Sequence, residues 1–278
     1  MTLHWHTEPL LLLVLLVPSW LYALWMGPCR PAGLRFPAGR VVAFYLGIAI
    51  TYLTVGSPLD QLGEDYLFSA HMVQHLLLMY VSPVLLVVGL PPEGVDRLVA
   101  GRLRLQAVIR FFFHPVVAGF LFSLSFSLWH VPVLYEAALA SKAIHVLEHW
   151  TIWFPSVGIA WCLFSGARYL PPCRYPVRLL LLFLLTVAQL PVFGVLTMTG
   201  EVLYPTYEWA PRLLPITALE DQVLGGLFMK VGGMFFVLPL LAYSFYRWAK
   251  TSEEEEEEGA GEREVVPAGA RGPAEATL

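Results

Sequence analysis

Long apolar stretches alternate with short polar ones along the first 250 residues of the chain. A helix that crosses a bilayer needs about 20 largely apolar residues to span roughly 30 Å of hydrocarbon. Seven stretches meet this requirement, near residues 9–26, 40–57, 68–90, 114–134, 143–164, 177–199 and 220–246. The pattern therefore predicts an all-α integral membrane protein, with a seven-transmembrane-helix bundle in residues 1–250. The composition agrees, because 57% of the residues are hydrophobic and only 14% are charged.

The first apolar stretch is predicted to be a retained helix and not a cleaved signal peptide. No Lys or Arg precedes it, and the residues after Met26 make a poor small-residue cleavage site. The far end of the chain has a different composition. After Lys250 come a run of glutamates and a mixture of Gly, Ala and Glu, in which apolar residues show no regular spacing. Such a segment buries too little surface to offset its chain entropy. We therefore expect residues 251–278 to form an acidic, disordered cytoplasmic tail.

The arginines between the apolar stretches predict the orientation of the bundle. They concentrate after the first, third and fifth predicted helices, as Arg30, Arg35, Arg40, Arg97, Arg102, Arg104, Arg110, Arg168, Arg174 and Arg178. The intervening loops are neutral or acidic. Short loops rich in Lys and Arg stay in the cytoplasm. The N-terminus is therefore predicted to lie outside and the C-terminus in the cytoplasm.

Histidines supply the candidate chemistry. The chain contains eight, and the predicted topology puts seven on the outer side: His4, His6, His71, His75, His130, His145 and His149. Two pairs are spaced by four residues, so each pair shares a helix face. A rise of 1.5 Å per residue places both pairs roughly 4 to 10 Å below the outer helix ends, and His130 at about the same depth. Five imidazoles are thus expected in one layer of the bundle.

Ionisable groups inside a bilayer are costly and normally face a polar interior where they find partners. Neutral imidazole is the commonest metal ligand, and a pair at i and i+4 can chelate one ion. The residues therefore favour a metal or haem site, with Asp221 at the start of the last helix as a ligand or as a group that orients one. Imidazole suits copper, zinc, iron and nickel alike. The alternative is that each histidine only hydrogen-bonds a neighbouring helix.

Two sets of residues add to this site without deciding its metal. Thioethers would favour Cu(I), and the candidate helices contain Met72, Met79, Met198 and Met229. In a membrane helix, however, methionine is more often a packing residue. The N-terminal His4 and His6 are candidates for capturing an ion ahead of the buried site, or are simply a solvated end.

Several motifs recur in an order that points to a known family. They are Ser57-Pro58-Leu59-Asp60, the segment from Phe68 to Met79, Trp129-His130-Val131-Pro132, His145-Val146-Leu147-Glu148-His149, and Asp221-Gln222. The chain resembles, from about residue 57 to 246, the multispanning CtaG family of cytochrome c oxidase assembly factors. The resemblance implies a seven-helix protein of the bacterial plasma membrane that helps to mature a haem–copper oxidase by supplying copper. The positions carried over are His71, His75, His130, His145, His149 and Asp221.

The leading hypothesis is therefore a non-enzymatic assembly factor that holds and hands over a copper ion. Its expected partners are haem–copper oxidase subunits and the lipid bilayer, with no role for nucleic acid. One alternative is a membrane redox protein in which facing histidines ligate a haem. Another is a zinc-dependent membrane hydrolase with Glu148 as base, although the order of residues 145–149 is not the HExxH motif.

Overall fold

The computed structural model describes residues 5–265, and their side chains as far as Glu255. Every regular element in that range is helical. The elements are α1 (Pro9–Met26), α2 (Ala38–Val55), α3 (Pro58–Asp65), α4 (Phe68–Leu76), a π turn (Leu77–Val81), α5 (Ser82–Gly89), α6 (Pro92–Val99), α7 (Leu103–Phe112), α8 (Pro115–Trp129), α9 (Pro132–Ala140), α10 (Lys142–Phe164), α11 (Tyr175–Ala188), α12 (Leu190–Met198), α13 (Pro205–Trp209), α14 (Ala218–Leu227), a second π turn (Phe228–Gly232) and α15 (Gly233–Val265).

Proline and capping residues determine where many of these helices begin. Proline is the first residue of α1, α3, α6, α8, α9 and α13. Its missing N–H costs nothing there, because the first N–H groups of a helix have no intrahelical partner. The Ser57 hydroxyl accepts a hydrogen bond from the Leu59 amide at the start of α3. At α14, Thr217 and Glu220 form a reciprocal capping box.

The helix lengths identify a multi-pass membrane protein. Five helical segments are long and apolar enough to span a bilayer: Pro9–Met26, Ala38–Asp65, Phe68–Gly89, Tyr175–Met198 and Ala218–Glu255. There are six if α7 and α8, which are bent by 49°, form one span. Helix α10 has 23 residues but is more polar than these, because His145, Glu148 and His149 lie in its first half. The predicted count of seven spans and the predicted orientation stay predictions.

Two π turns interrupt the helices below the histidines, one directly after α4 and one directly before α15, and the second packs against α4. A proline ring clashes with the carbonyl four residues earlier, and the widened turn Leu77–Val81 precedes Pro83. The second π turn ends at Gly232, where a Cβ atom would lie 2.6 Å from the Leu76 side chain. Lys230 lies in this turn, and its ammonium donates to the carbonyl of Thr186 at 3.2 Å. The sequence had given this lysine no partner.

The apolar core lies beside this contact. It contains Phe68, Met72, Met79, Phe122, Phe126, Ile152, Leu182 and Met229. Three of the four methionines that the sequence offered as soft ligands are therefore packing residues of the core. The fourth, Met198, is 86% exposed.

The last helix runs past Lys250 into the acidic segment that we predicted to be disordered. Helix α15 extends to Val265 and so includes residues 251–265 of this segment. The predicted division into a membrane domain and a tail stays a prediction. Glu and Ala are good helix formers, and Lys250 pairs with Glu254 one turn later at 3.8 Å. Residues 266–278 of the predicted tail, and the candidate ligand His4, lie outside the described residues.

Candidate metal centre

Two adjacent helices supply the four paired histidines. His71 and His75 lie one turn apart on α4, with their Nε2 atoms separated by 2.8 Å. His145 and His149 lie one turn apart on α10, with their Nε2 atoms separated by 3.0 Å. The pairs face each other, since the rings of His71 and His145 stack with centroids 5.3 Å apart. The predicted convergence of these histidines is therefore present in the fold.

Glu148 places a carboxylate against the histidine pair of α4. Its Oε1 atom lies 3.6 Å from Nε2 of His71 and 3.4 Å from Nε2 of His75, and all three side chains are fully buried. Two sets of ligand atoms lie within 4.8 Å of one another: His71, His145 and His149, and His71, His75 and Glu148. We call the five residues His71, His75, His145, Glu148 and His149 the inner cluster. The first set offers three nitrogen donors and the second offers two nitrogens and an oxygen, and such donors suit copper, zinc or iron.

Several polar atoms of this region are buried without a hydrogen bond among the described residues. They are Nδ1 of His71 and of His75, Nε2 of His130, and both carboxylate oxygens of Glu148. An unsatisfied buried polar group costs about 1–3 kcal/mol, and a charged one more. A buried carboxylate beside imidazole nitrogens is stabilised by a cation that these groups bind together. The donor set therefore fits a bound metal ion.

His130 lies at the edge of the inner cluster. It follows the last turn of α8, and its Nδ1 is 2.6 Å from the carbonyl oxygen of Phe126, so Nδ1–H donates to that oxygen. The lone pair of Nε2 is then free to act as an acceptor or a ligand. The ring centroid is 6.0 Å from that of His75. His130 is thus a neighbour of the cluster that would reach an ion only after a small shift.

Asp221 has a different set of contacts from the histidines. From α14, its carboxylate accepts hydrogen bonds from the amide of Phe68 at 2.7 Å and from the hydroxyl of Ser69 at 2.5 Å. It thereby caps the N-terminus of α4, where a negative charge is also favoured by the helix dipole. Among the described residues, Asp221 belongs to none of the sets of close ligand atoms. Its contacts make it a positioning residue for the helix that carries His71 and His75.

A charged group that the sequence did not single out lies beside His145. Helix α3 folds back so that Asp60 is buried, where its Oδ1 accepts from Nε2 of Gln74 at 2.8 Å. The carboxylate of Glu64 contacts Nδ1 of His145. Asp60, Glu64 and His145 form a third set of ligand atoms within 4.8 Å of one another. In the sequence Asp60 was the last residue of the Ser57-Pro58-Leu59-Asp60 motif, and Glu64 was only one charge of an acidic loop.

Three buried tyrosines hold the neighbouring loops against the cluster. The hydroxyls of Tyr135 and Tyr207 are 2.9 Å apart, and Tyr207 donates to the carbonyl of Gly63 at 2.6 Å. Tyr204 donates to the carbonyl of His130 at 3.0 Å. Burial raises the pKa of the Tyr204 and Tyr207 phenols above the usual range, so both stay neutral donors. The ring of Tyr135 lies 5.2 Å from that of His71 and closes the cluster on that side.

An apolar cavity of about 610 Å³ runs along the other side of the cluster. It is lined by side chains of α1, α2, α5 and α10, and its polar end is formed by Asp60, Lys142, His145 and His149. His149 is only half-buried, whereas His71, His75 and Glu148 are fully buried. The cavity therefore gives the cluster an approach past His149.

His114, the eighth histidine, stands apart from the inner cluster. It precedes α8 at the end opposite His130, and its Nδ1 accepts a hydrogen bond from the amide of Val116 at 3.3 Å. Its contact is that of a helix cap.

The comparisons with known proteins identify the family of this chain. Residues 20–251 match the family model described as cytochrome c oxidase caa3 assembly factor (Caa3_CtaG). The chain belongs to this family. The resemblance found in the sequence motifs is therefore confirmed, and the inner cluster, His130 and Asp221 all lie within the residues matched to the Caa3_CtaG family.

Curated relatives of this Caa3_CtaG chain are longer proteins. It is 32% identical to uncharacterized proteins of Mycobacterium bovis and Mycobacterium tuberculosis over 232 residues, which are 74% of this chain and 33% of each relative. An uncharacterized protein of Mycobacterium leprae is 29% identical over 247 residues, which are 80% of this chain and 36% of the relative. The chain thus spans about a third of the length of these relatives. No solved structure matches it significantly.

Proposed function

We propose that this Caa3_CtaG protein helps to mature a haem–copper cytochrome c oxidase in the bacterial plasma membrane, by holding copper in the inner cluster and passing it to an oxidase subunit. Family membership supports the part in oxidase assembly and a non-enzymatic role. One observation carries the part about metal: two histidine pairs on α4 and α10 face each other, with the buried carboxylate of Glu148 beside His71 and His75.

The proposal includes a seven-span topology with the cluster near the outer surface. Helix α10 has 23 residues, which extend about 35 Å at 1.5 Å per residue, enough to cross the hydrocarbon. The five apolar segments, the bent pair of α7 and α8, and α10 together give seven spans. The arginine-rich loops lie at the end of the bundle away from the histidines, which supports the outward orientation of the cluster.

Hand-over would proceed by ligand exchange. Copper is the cargo, and imidazole nitrogens suit it. His71, His75 and Glu148 hold the ion in the fully buried part of the cluster, whereas His149 borders the cavity. A partner's ligand can then replace one imidazole at a time while the remaining donors keep the ion.

The geometry favours this function over the two alternatives. A haem between the facing pairs would need space for the porphyrin, and the rings of His71 and His145 already stack at 5.3 Å. A hydrolase would need a base that is free to activate water, and the Oε1 atom of Glu148 instead faces Nε2 of His71 and His75 as a ligand would. The absorption spectrum of the purified protein is expected to show no haem band.

Oxidase maturation in a strain without this gene tests the proposal. Complementation with His145→Leu and His149→Leu together should give an oxidase that keeps its haem but lacks copper, and added copper should restore part of its activity. The parent chain and His114→Asn, which keeps an acceptor at the helix cap, should both restore full activity. An oxidase with its full copper content in the double variant would contradict the proposal.

A further inference from the structure

A lysine ammonium lies between two carboxylates at the mouth of the inner cluster. Nζ of Lys142, the first residue of α10, is 2.9 Å from Oδ2 of Asp60 and 3.2 Å from Oε1 of Glu64. Asp60 is almost fully buried, and its Oδ2 atom also lies 3.4 Å from Nε2 of His6. The Lys142 side chain is 45% exposed, so it can move into water without rearranging the fold.

His145 connects this mouth with the inner cluster. Its Nε2 faces His149 at 3.0 Å, while its buried Nδ1 faces the carboxylate of Glu64 without a well-aligned hydrogen bond in the described part of the chain. Asp60, Glu64 and Nδ1 of His145 bring their ligand atoms within 4.8 Å of one another. Two carboxylates and an imidazole are a donor set for a divalent transition-metal ion.

We propose that Asp60, Glu64 and His145 form a second, outer metal site, and that Lys142 occupies it as a tethered cation until a divalent metal ion displaces its ammonium. This inference rests on the proposed metal-holding function of the inner cluster and adds the place where the ion first binds. The displaced ammonium swings into water, and the two carboxylates exchange one positive partner for another.

The chemistry of His145 makes the two sites successive. A neutral imidazole keeps a proton on one nitrogen, so it offers a lone pair to only one ion at a time. With an ion on Nδ1 it serves the outer site, and with an ion on Nε2 it serves the inner cluster. An ion that leaves the outer site therefore frees His145 to bind it on the inner side, next to His149.

The outer site is tested in a chain whose inner cluster is disabled by His71→Leu, His75→Leu and His149→Leu, with His145 kept. Binding of Cu²⁺ is measured by titration and by quenching of tryptophan fluorescence, because Trp150 and Trp153 line the same cavity. Lys142→Met in this background should tighten Cu²⁺ binding at least about tenfold, since the competing charge is gone. Adding Asp60→Asn and Glu64→Gln should abolish the gain.

Matched variants make the result specific. Lys142→Arg keeps the charge, so its Cu²⁺ affinity should equal that of the chain in which only the inner cluster is disabled. Lys230→Met removes a lysine outside the site and should also leave the Cu²⁺ affinity unchanged. Lys142→Gln, which retains a donor for Asp60, replaces the methionine variant if that one unfolds. Unchanged or weaker Cu²⁺ binding in the folded Lys142→Met or Lys142→Gln protein would overturn the outer site. The proposed function fails on a different result: the parent chain, whose inner cluster is intact, would bind no metal.

Discussion

The Oε1 atom of Glu148 lies 3.4 Å from Nε2 of His75, at a place where neither side chain is exposed. A buried carboxylate needs a positive partner, because an isolated charge in an apolar interior is very unfavourable. Two partners fit this geometry: a proton shared with the imidazoles, or a metal ion held by them. The two differ in what happens when the charge of Glu148 is removed.

Glu148→Gln keeps the shape of the side chain and removes its charge. If Glu148 is a metal ligand, this variant should lose at least about 100-fold in metal affinity, while the metal-free protein melts at the same temperature or higher. Glu201→Gln, at an exposed position, should leave both quantities unchanged. Lower thermal stability of the metal-free Glu148→Gln protein with unchanged metal affinity would show that the carboxylate serves a proton network.

Asp221→Asn tests the positioning role. The side-chain oxygen of the introduced asparagine can still accept a hydrogen bond from the backbone amide of Phe68, but its NH₂ group would face the donors of Ser69. The start of α4 should therefore be destabilised by about 1–2 kcal/mol. Metal affinity should fall 10- to 100-fold with the stoichiometry unchanged, as for groups that orient ligands. Glu220→Gln, one residue earlier, should have little effect on metal affinity. Complete loss of the metal in folded Asp221→Asn would make Asp221 a ligand.

The orientation of the bundle is tested with two single cysteines in a chain without its native cysteines. At Gly39 and Gly200 an added Cβ meets no atom within 4 Å, so both positions accept a side chain. Cysteine at position 200, at the histidine end, should react in intact cells with a maleimide that cannot cross the membrane. Cysteine at position 39 should react only after the cells are opened. The opposite pattern would put the cluster on the cytoplasmic side.

Truncation after Ser252 tests the acidic end of the chain. The pair between Lys250 and Glu254 is exposed, and such pairs contribute little stability. The truncated protein is therefore expected to accumulate normally and to support oxidase maturation as the full chain does. A loss of oxidase activity at unchanged protein level would show that the segment from 253 onward binds a partner.

Much of the candidate site could be predicted because helix geometry is local. The spacing of His71 from His75, and of His145 from His149, fixes each pair on one face whatever the rest of the fold does. Apolar length then gives their depth in the bundle. The same reasoning placed His114 at the other end.

What the sequence could not give depends on contacts between distant segments. The sequence left Asp221 as either a ligand or a group that orients one, and only the contact of its carboxylate with the amide of Phe68, 153 residues away, shows which helix it positions. Glu148 was one of several carboxylates near the cluster, and only the packing of α4 against α10 singles it out. Asp60 joins the mouth of the site because Gln74 holds it there.

The metal content of untagged protein tests the central claim most directly. Metal analysis of the parent chain, of His71→Leu with His75→Leu, of His145→Leu with His149→Leu, and of His114→Asn should be made at equal amounts of folded, membrane-inserted protein. We predict copper in the parent and in His114→Asn, and its loss from both double variants, because each removes two donors of the inner cluster. Equal copper content in all four proteins would contradict the assignment of the inner cluster as the metal site.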